Sequence, residues 1–533
     1  MAISVDGLIS GLDTTSIVKQ LIELEQRPVT LLQNKQATLA SQHMAWQEVN
    51  TRLLALETSA GSLATTSKFN SNTASFRNNS ATGASPLTVA ADSTVAAGSY
   101  SVVVNQLATQ QKYAANESFG SITTALGLAG TMTLTNSSGS WNVSIAATDT
   151  LDGIRSKINA SGAPVTAGII NAGTSSSPAY RLTLTSEDTG AASLFSVSSP
   201  SGLSFTQTQA AQDALFTVDG ISVTKDSNTV TDAISGATLN LQAAGSGTVT
   251  FDTDYGAIID KVQSFASAYN DLTDYIKEQF TYSSTTNEKG ALFGNAALRN
   301  IQDRLRSAIN GALAGADISG GALSFLAQAG IKTDELDHLT VDEAKLEEQL
   351  RARFDEVRAL FTSAGSGDYT VVDATGGVTG GLYDTRVQGG VLQLRLQGGD
   401  GTWISMTSAG NFAYGPSGSI LDGLILQTGT LVEGQTGQVR VTMGAARRAE
   451  WYSASFTEFS AEGAVYNERA SIEKQDKELQ KQIDDLEERI AKKETDLKAK
   501  FVNLETLLGQ LTAQQNYLNS QLGSLSSNWK FNK

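Results

Sequence analysis

Toward its C-terminal end the chain repeats an apolar residue every seven positions, at Ile483, Ile490, Leu497, Leu504, Leu511 and Leu518, with Leu479, Leu486 and Leu507 at the companion positions of a heptad. This is the a/d seam of a coiled-coil helix. Lys493, Lys500, Gln514 and Gln521 fill other companion positions, so the seam is imperfect and marginal as an isolated pair. A second seam lies near the other end: Leu32, Leu39, Trp46, Leu53 and Ala60 recur every seven residues, with Val49, Leu56 and Leu63 three beyond the last of these. The pattern predicts helix over 14–65, N-capped by Asp13 and restarting at Pro28 after a break or kink near Arg27, because proline suits a first helical turn. Bringing the termini together buries both seams at once. A helical hairpin internal to the monomer satisfies the same pattern.

Between the seams the texture changes. From Phe69 to Phe251 the chain is rich in Thr, Ser, Gly and Val, with alternating stretches at 99–104, 181–185 and 247–251 that read as strands. One short helical pattern at 150–160 and the Gly and Asn punctuation predict two small β-rich domains. Helical spacing returns at 258–280, 295–313 and 341–361, and is interrupted by a Gly-rich, β-like stretch at 363–445 containing strands at 391–396 and 438–442. The expected organisation is an α+β multidomain chain. N-terminal helices occupy 1–66, and a β-rich domain is contributed by 67–117 and 211–254 around an outer β-rich domain at 118–210. A helical domain spans 255–362, an inserted domain 363–445, and a coiled-coil helix 446–533.

A chain of 533 residues exceeds what one hydrophobic core serves, which agrees with several domains. The formal charge of −16 repels nucleic acid and anionic lipid, so neither is an expected partner. Cysteine is absent, which removes disulfides and thiolate chemistry. With His43 and His338 as the two histidines, a His-based metal cluster or a Ser-His-Asp triad is not expected. No apolar run approaches the roughly 18 residues of a membrane span, and the first residues lack the basic and apolar regions of a cleavable leader. Both a cytoplasmic protein and one exported unfolded fit these features.

Candidate chemistry is sparse. Gly398-Gly-Asp400-Gly-Thr-Trp403 has the residues of a calcium loop but not the acidic spacing to supply roughly six or more oxygens, and reads as a hairpin turn. The cluster Gly376-Gly-Val-Thr-Gly-Gly381 lacks the lysine of a phosphate loop and reads as a flexible linker. His43, on a helix, and His338, in a charged loop, read as packing or solvent residues. The mixed charges of 473–500 read as a solvated helix face. No catalytic, cofactor-binding or metal-ligating residue is expected.

The residues also carry a resemblance. Ile3-Ser-Val-Asp-Gly7-Leu8-Ile-Ser10-Gly11-Leu12-Asp13, followed by Ile17-Val18, Leu21-Ile22, Glu25 and Pro28, resembles the opening of flagellar cap proteins, also called hook-associated protein 2. Phe501-Val-Asn-Leu-Glu505 and Gln515-Asn-Tyr-Leu-Asn-Ser-Gln-Leu522 are similar to that family's closing helix. The stretch 150–159 resembles a motif shared by filament and hook-associated proteins, and 216–223 with Asn228 and 234–236 resembles a cap-protein strand pair. The 363–445 stretch departs from the pattern. The resemblance implies paired terminal helices acting as legs, a helical domain above them, and β-rich head domains. It further implies a homo-oligomeric ring, usually a pentamer, that retains exported flagellin at the filament tip. Hook-filament junction proteins and an export chaperone at the C-terminal helix are implied as further partners. Two alternatives remain open: another axial subunit such as flagellin or a junction protein, and a secreted adhesin using the β-rich domains.

Overall fold

The computed structural model describes residues 13–79, 84–285, 288–317, 321–459 and 463–529. Among them lie the helices α1 (Thr14–Gly61), α2 (Thr66–Phe69), α3 (Leu151–Asn159), α4 (Tyr255–Phe280), α5 (Ala296–Asn310), α6 (Glu343–Ala352), α7 (Phe354–Ala359), α8 (Ala445–Thr457) and α9 (Ala464–Trp529). The chain divides into two compact units, Thr66–Asp260 and the two segments that flank it.

In the flanking unit, α1 starts where Asp13 accepts a hydrogen bond from the Ser16 N–H at 2.8 Å. The expected restart at Pro28 is not observed, because α1 runs through Pro28 without interruption. Proline removes a single ladder bond, and Val18, Ile22 and Val29 on either side of it are buried against Ile483 and Ile490 of α9. That shared contact holds both halves of the helix to one partner. The helix expected over 341–361 is in fact two. Val341 closes a strand, Asp342 caps α6, and Arg353 leaves helical geometry at φ −142° before α7 begins. The Arg353 guanidinium is held there by Glu356 and by the Gly321 carbonyl.

The stretch 363–443 forms two antiparallel sheets in this same unit. Five strands, in the order 363–367, 436–443, 381–388, 391–396 and 404–405, face four, in the order 370–374, 424–427, 412–414 and 407–409. Tyr383, Leu392, Leu394, Leu424, Leu426, Val439 and Val441 fill the core between them. Burial pushes the Tyr383 hydroxyl up to about 12. The first and last strands pair, Ser363 opposite Met443, so the chain leaves and re-enters the helices at one place. There Arg447 of α8 donates to the Ala374 carbonyl and to both Asp373 oxygens, and also to Glu450. The glycine cluster is not a loose linker. A Cβ at Gly376 would lie 2.3 Å from the Trp451 Cβ, and Val378 is buried, so these glycines permit a close approach to α8.

The Thr66–Asp260 unit holds two cores. One gathers Val102, Val104, Phe216, Leu239, Val249 and Phe251 from a five-stranded sheet and a three-stranded sheet. The strands 214–218 and 221–225 join through Asp219 and Gly220, both at positive φ (49° and 81°), which is the two-residue hairpin that an Asp-Gly pair favours. Asn228 accepts from the Ala108 N–H and donates to its carbonyl, standing in for a missing strand partner. The other core packs α3, through Leu151, Ile154 and Ile158, against strands between residues 112 and 209. Its first strand, Lys112–Ala115, lies ahead of the expected boundary at 117/118, because Ala115 packs with Leu182 and Leu184 in this second core.

Candidate assembly site

α1 and α9 run antiparallel, and three polar layers fix their register: Glu25 with Lys493 at 2.6 Å, Gln36 with Gln480 at 3.0 Å, and His43 with Glu473 at 3.5 Å. Between these layers and beyond the Glu25–Lys493 pair, Val18, Ile22, Val29, Ile483 and Ile490 are buried, and Leu32, Leu486, Leu497 and Phe501 pack around them half-buried. Exposed ion pairs contribute on the order of 0.2–1 kcal/mol, whereas each buried aliphatic side chain contributes about 1.5–3 kcal/mol. The apolar layers therefore supply the adhesion. The polar ones specify register, and Lys493, an imperfection in the seam by pattern, is matched here by a carboxylate.

Toward its C-terminal end α1 turns to a different partner. Trp46, Val49, Leu53, Leu56 and Ala60 are fully buried, and this part of the unit includes contacts of α1 with α8 as well as α9. Arg52 reaches Asp271 of α4 at 3.2 Å and lies over the Tyr275 ring. Trp46 and Leu53 thus belong to the interior of the chain's own helical bundle, while Leu32 and Leu39 are half-buried.

At the other end α9 outruns its partner. Leu504, Leu507, Leu511 and Leu518 are 45% to 60% exposed, and Val502, Tyr517 and Leu522 are exposed as well. From Thr506 to Trp529 there is no charged residue, in contrast to the dense mixed charge of 473–500. A helix face meant for water is usually charged, and this one carries leucine and amide side chains instead. The ten seam residues read from the pattern therefore separate. Ile483, Ile490 and Leu497 lie against α1, and Leu504, Leu511 and Leu518 face outward.

A second stripe was missed by pattern reading. Ile17, Leu21, Leu24 and Leu31 are exposed on α1, one residue round from the stripe that meets α9. With Pro28 they follow a 4-3-4-3 spacing, which is itself an a/d seam. That spacing was the available signal.

The motif residues Gly7, Leu8, Ser10, Gly11 and Leu12 lie outside the described residues, and Asp13 is the N-cap of α1. His338 is bonded to Asp274 at 2.6 Å. The loop at 398–403 joins two paired strands. In it the Asp400 carboxylate accepts from the Thr402 N–H, which holds its carboxyl below the usual range, and Trp403 lies 4.2 Å and 4.7 Å from the Arg386 and Arg395 guanidinium groups. Among the described residues no three His, Cys, Asp or Glu side chains are grouped to hold a metal, and no helix is long and apolar enough to cross a membrane.

This combination of paired terminal helices and β-rich units agrees with comparison to known proteins. A family model described as the flagellar hook-associated protein 2 C-terminus matches residues 211–513, more than half of the chain, and one for its N-terminus matches 10–111. The chain belongs to the flagellar hook-associated protein 2 family. A flagellin hook IN motif matches 131–188, which encloses α3. The chain is similar to A-type flagellar hook-associated protein 2 of Pseudomonas aeruginosa, 28% identical over 74% of this chain and 86% of that one. It is also similar to flagellar hook-associated protein 2 of Escherichia coli (strain K12), 29% identical over 68% and 81%. Among solved structures, the D1-D2-D3 domains of the flagellar cap protein FliD from Escherichia coli superpose with a TM-score of 0.50 at 27% identity, covering 60% of this chain and 90% of that one. Hook-associated protein 2 is a structural cap of the flagellar filament and not an enzyme, and this chain is such a protein.

Proposed function

We propose that this protein caps the growing filament by using the paired ends of α1 and α9 as legs, retaining exported flagellin beneath a ring of copies and guiding each new subunit into the lattice. The observation that carries the reading is the outward leucine stripe of distal α9, Leu504, Leu507, Leu511 and Leu518, on a helix that lacks charge from Thr506 onward. Such a surface is stable in water only as far as the rest of the helix supports it, and it gains free energy when a partner covers it. Contacts built from a few half-exposed leucines are also weak enough to release, as a cap that advances with each added subunit requires.

The ring is taken to be a pentamer, with flagellin and the hook-filament junction proteins as neighbours at the tip and hook. An export chaperone covers the C-terminal helix before secretion, which accounts for an apolar face that is otherwise open in the cell. The working location is extracellular. The acidic surface disfavours nucleic acid and anionic membranes as partners.

Electron micrographs of the purified full-length protein test the reading. Small closed rings are the expected particles, because a cap closes on itself. Long filaments grown from the protein alone would instead place it with flagellin.

A further inference from the structure

The stretch 363–443 carries three arginines, Arg386, Arg395 and Arg440, and no lysine. All three stand on the outward face of its five-stranded sheet. Asp384 and Arg386 share one side of their strand, Asp384 is opposite Arg395, and Leu382 is opposite Arg440, while Tyr383, Val387, Leu394, Val439 and Val441 alternate into the core. Two of the three arginines are paired. Arg395 donates to Asp384 at 2.8 Å, and Arg440 to the Gly315 carbonyl at 3.0 Å. Arg386 donates from Nε to Gln393 at 2.7 Å, and no carboxylate among the described residues pairs with it.

Trp403 stands beside this charge, its ring centroid 4.2 Å from the Arg386 guanidinium and 4.7 Å from that of Arg395. The ring is half-buried. Both arginines come from strands inside the sheet, whereas Trp403 adjoins 404–405, the last strand in the order, so no further strand follows on its far side. Around it Gln393 donates to Ser405 at 3.0 Å, and Gln397 and Gln438 donate to Asp384 at 2.6 Å and 3.1 Å. The polar groups are therefore oriented before any ligand arrives.

An open sheet face with one aromatic ring, fixed planar amides and an unneutralised guanidinium has the chemistry that recognises a sugar acid. The negative face of the indole attracts the C–H side of a pyranose, the amides and the carboxylate pair with its hydroxyls, and a guanidinium clamps a carboxylate with two parallel bonds. A docking protein calls for apolar anchors, and the exposed aromatics Phe412 and Tyr414 belong to the other sheet. The formal charge of −16 disfavours a long polyanion, but salt screens distant charges beyond about 8 Å and leaves the local arginines to govern a short chain.

We infer that the Trp403–Arg386 face of the 363–443 sheets binds an oligosaccharide carrying carboxylate groups, with one sugar ring stacked on Trp403 and its carboxylate held by Arg386. This activity stands beside capping and does not depend on the leg reading.

The test titrates full-length protein with tetragalacturonate and with sialyllactose, each against its neutral counterpart, the methyl ester of the first and lactose for the second. At least one acid should bind roughly tenfold tighter than its neutral counterpart. Trp403→Ala should weaken that binding by roughly tenfold, a loss of the size expected for one stacking contact, and Arg386→Gln should abolish the preference for the acid. Trp403→Tyr, which keeps a ring, should retain most of the affinity, and Phe412→Ala should change nothing. Failure of both acids to bind would overturn the inference, as would binding that survives Trp403→Ala and Arg386→Gln in folded protein. Equal competition by duplex DNA would reduce the face to a general basic patch. Trp403→Ala cells should still build filaments, and their absence would assign this face to assembly instead.

Discussion

Cells whose protein carries Leu504→Asp together with Leu511→Asp should export flagellin into the medium as monomer and build few or no filaments, although the purified variant melts like the parent. Both leucines are about half exposed on α9, so their loss changes the monomer's stability by little beyond helix propensity, about 0.5 kcal/mol at each site. In an assembly that covers them the balance differs. Each leucine forfeits about 1.5–3 kcal/mol of burial, and each new carboxylate must be desolvated or keep the contact open. A loss of about 3 kcal/mol is already on the order of a hundredfold in affinity. Calorimetry of the variant and a count of filaments per cell check the two halves separately. Normal filament lengths would remove the leg role, and a lost melting transition would place these leucines inside the monomer's fold.

Trp46→Ala should do the reverse, collapsing the helical bundle before assembly is ever reached. Trp46 sits in the same heptad series as Leu32 and Leu39, yet it is completely buried in the bundle, and its indole Nε1 has no hydrogen-bond partner among the described residues. Truncating a buried aromatic of this size costs about 3–5 kcal/mol, a large share of the 5–15 kcal/mol that keeps a typical domain folded. The expected result is a melting transition of the helical unit lowered by many degrees, with the β-rich Thr66–Asp260 unit retaining its own. A variant that melts normally but fails to assemble would move Trp46 from the fold to the interface.

The two variants show what the pattern of residues could and could not say. The seven-residue spacing of Ile483 to Leu518 marked a coiled-coil helix without ambiguity, because period and face are local properties of sequence. Which part of that seam is covered inside the chain depends on where α1 begins, since Asp13 caps it and α9 continues well past that level. Length mismatch between two helices far apart in sequence has no local signature. Pro28 misled for a related reason: a proline breaks a helix by local rules, and here a tertiary contact with Ile483 and Ile490 spans it. The glycines at 376–377 read as a linker because their neighbour, Trp451, is over seventy positions away. By contrast the cap at Asp13 was set by neighbouring residues and was read directly, and the unread hairpin at Asp219-Gly220 and caps at Thr150 and Asn295 carry signals just as local. The missed stripe Ile17, Leu21, Leu24 and Leu31 was equally legible, but it shares a helix with a stronger seam one residue away.

Where the protein sits on the flagellum tests the central claim most directly. Full-length protein carrying a small peptide tag in the exposed loop around Gly389-Gly390, detected with gold-labelled antibody on intact flagella, should give one cluster of label at the distal end of each filament. Label spread along the filament, or confined to its base at the hook, would contradict a cap.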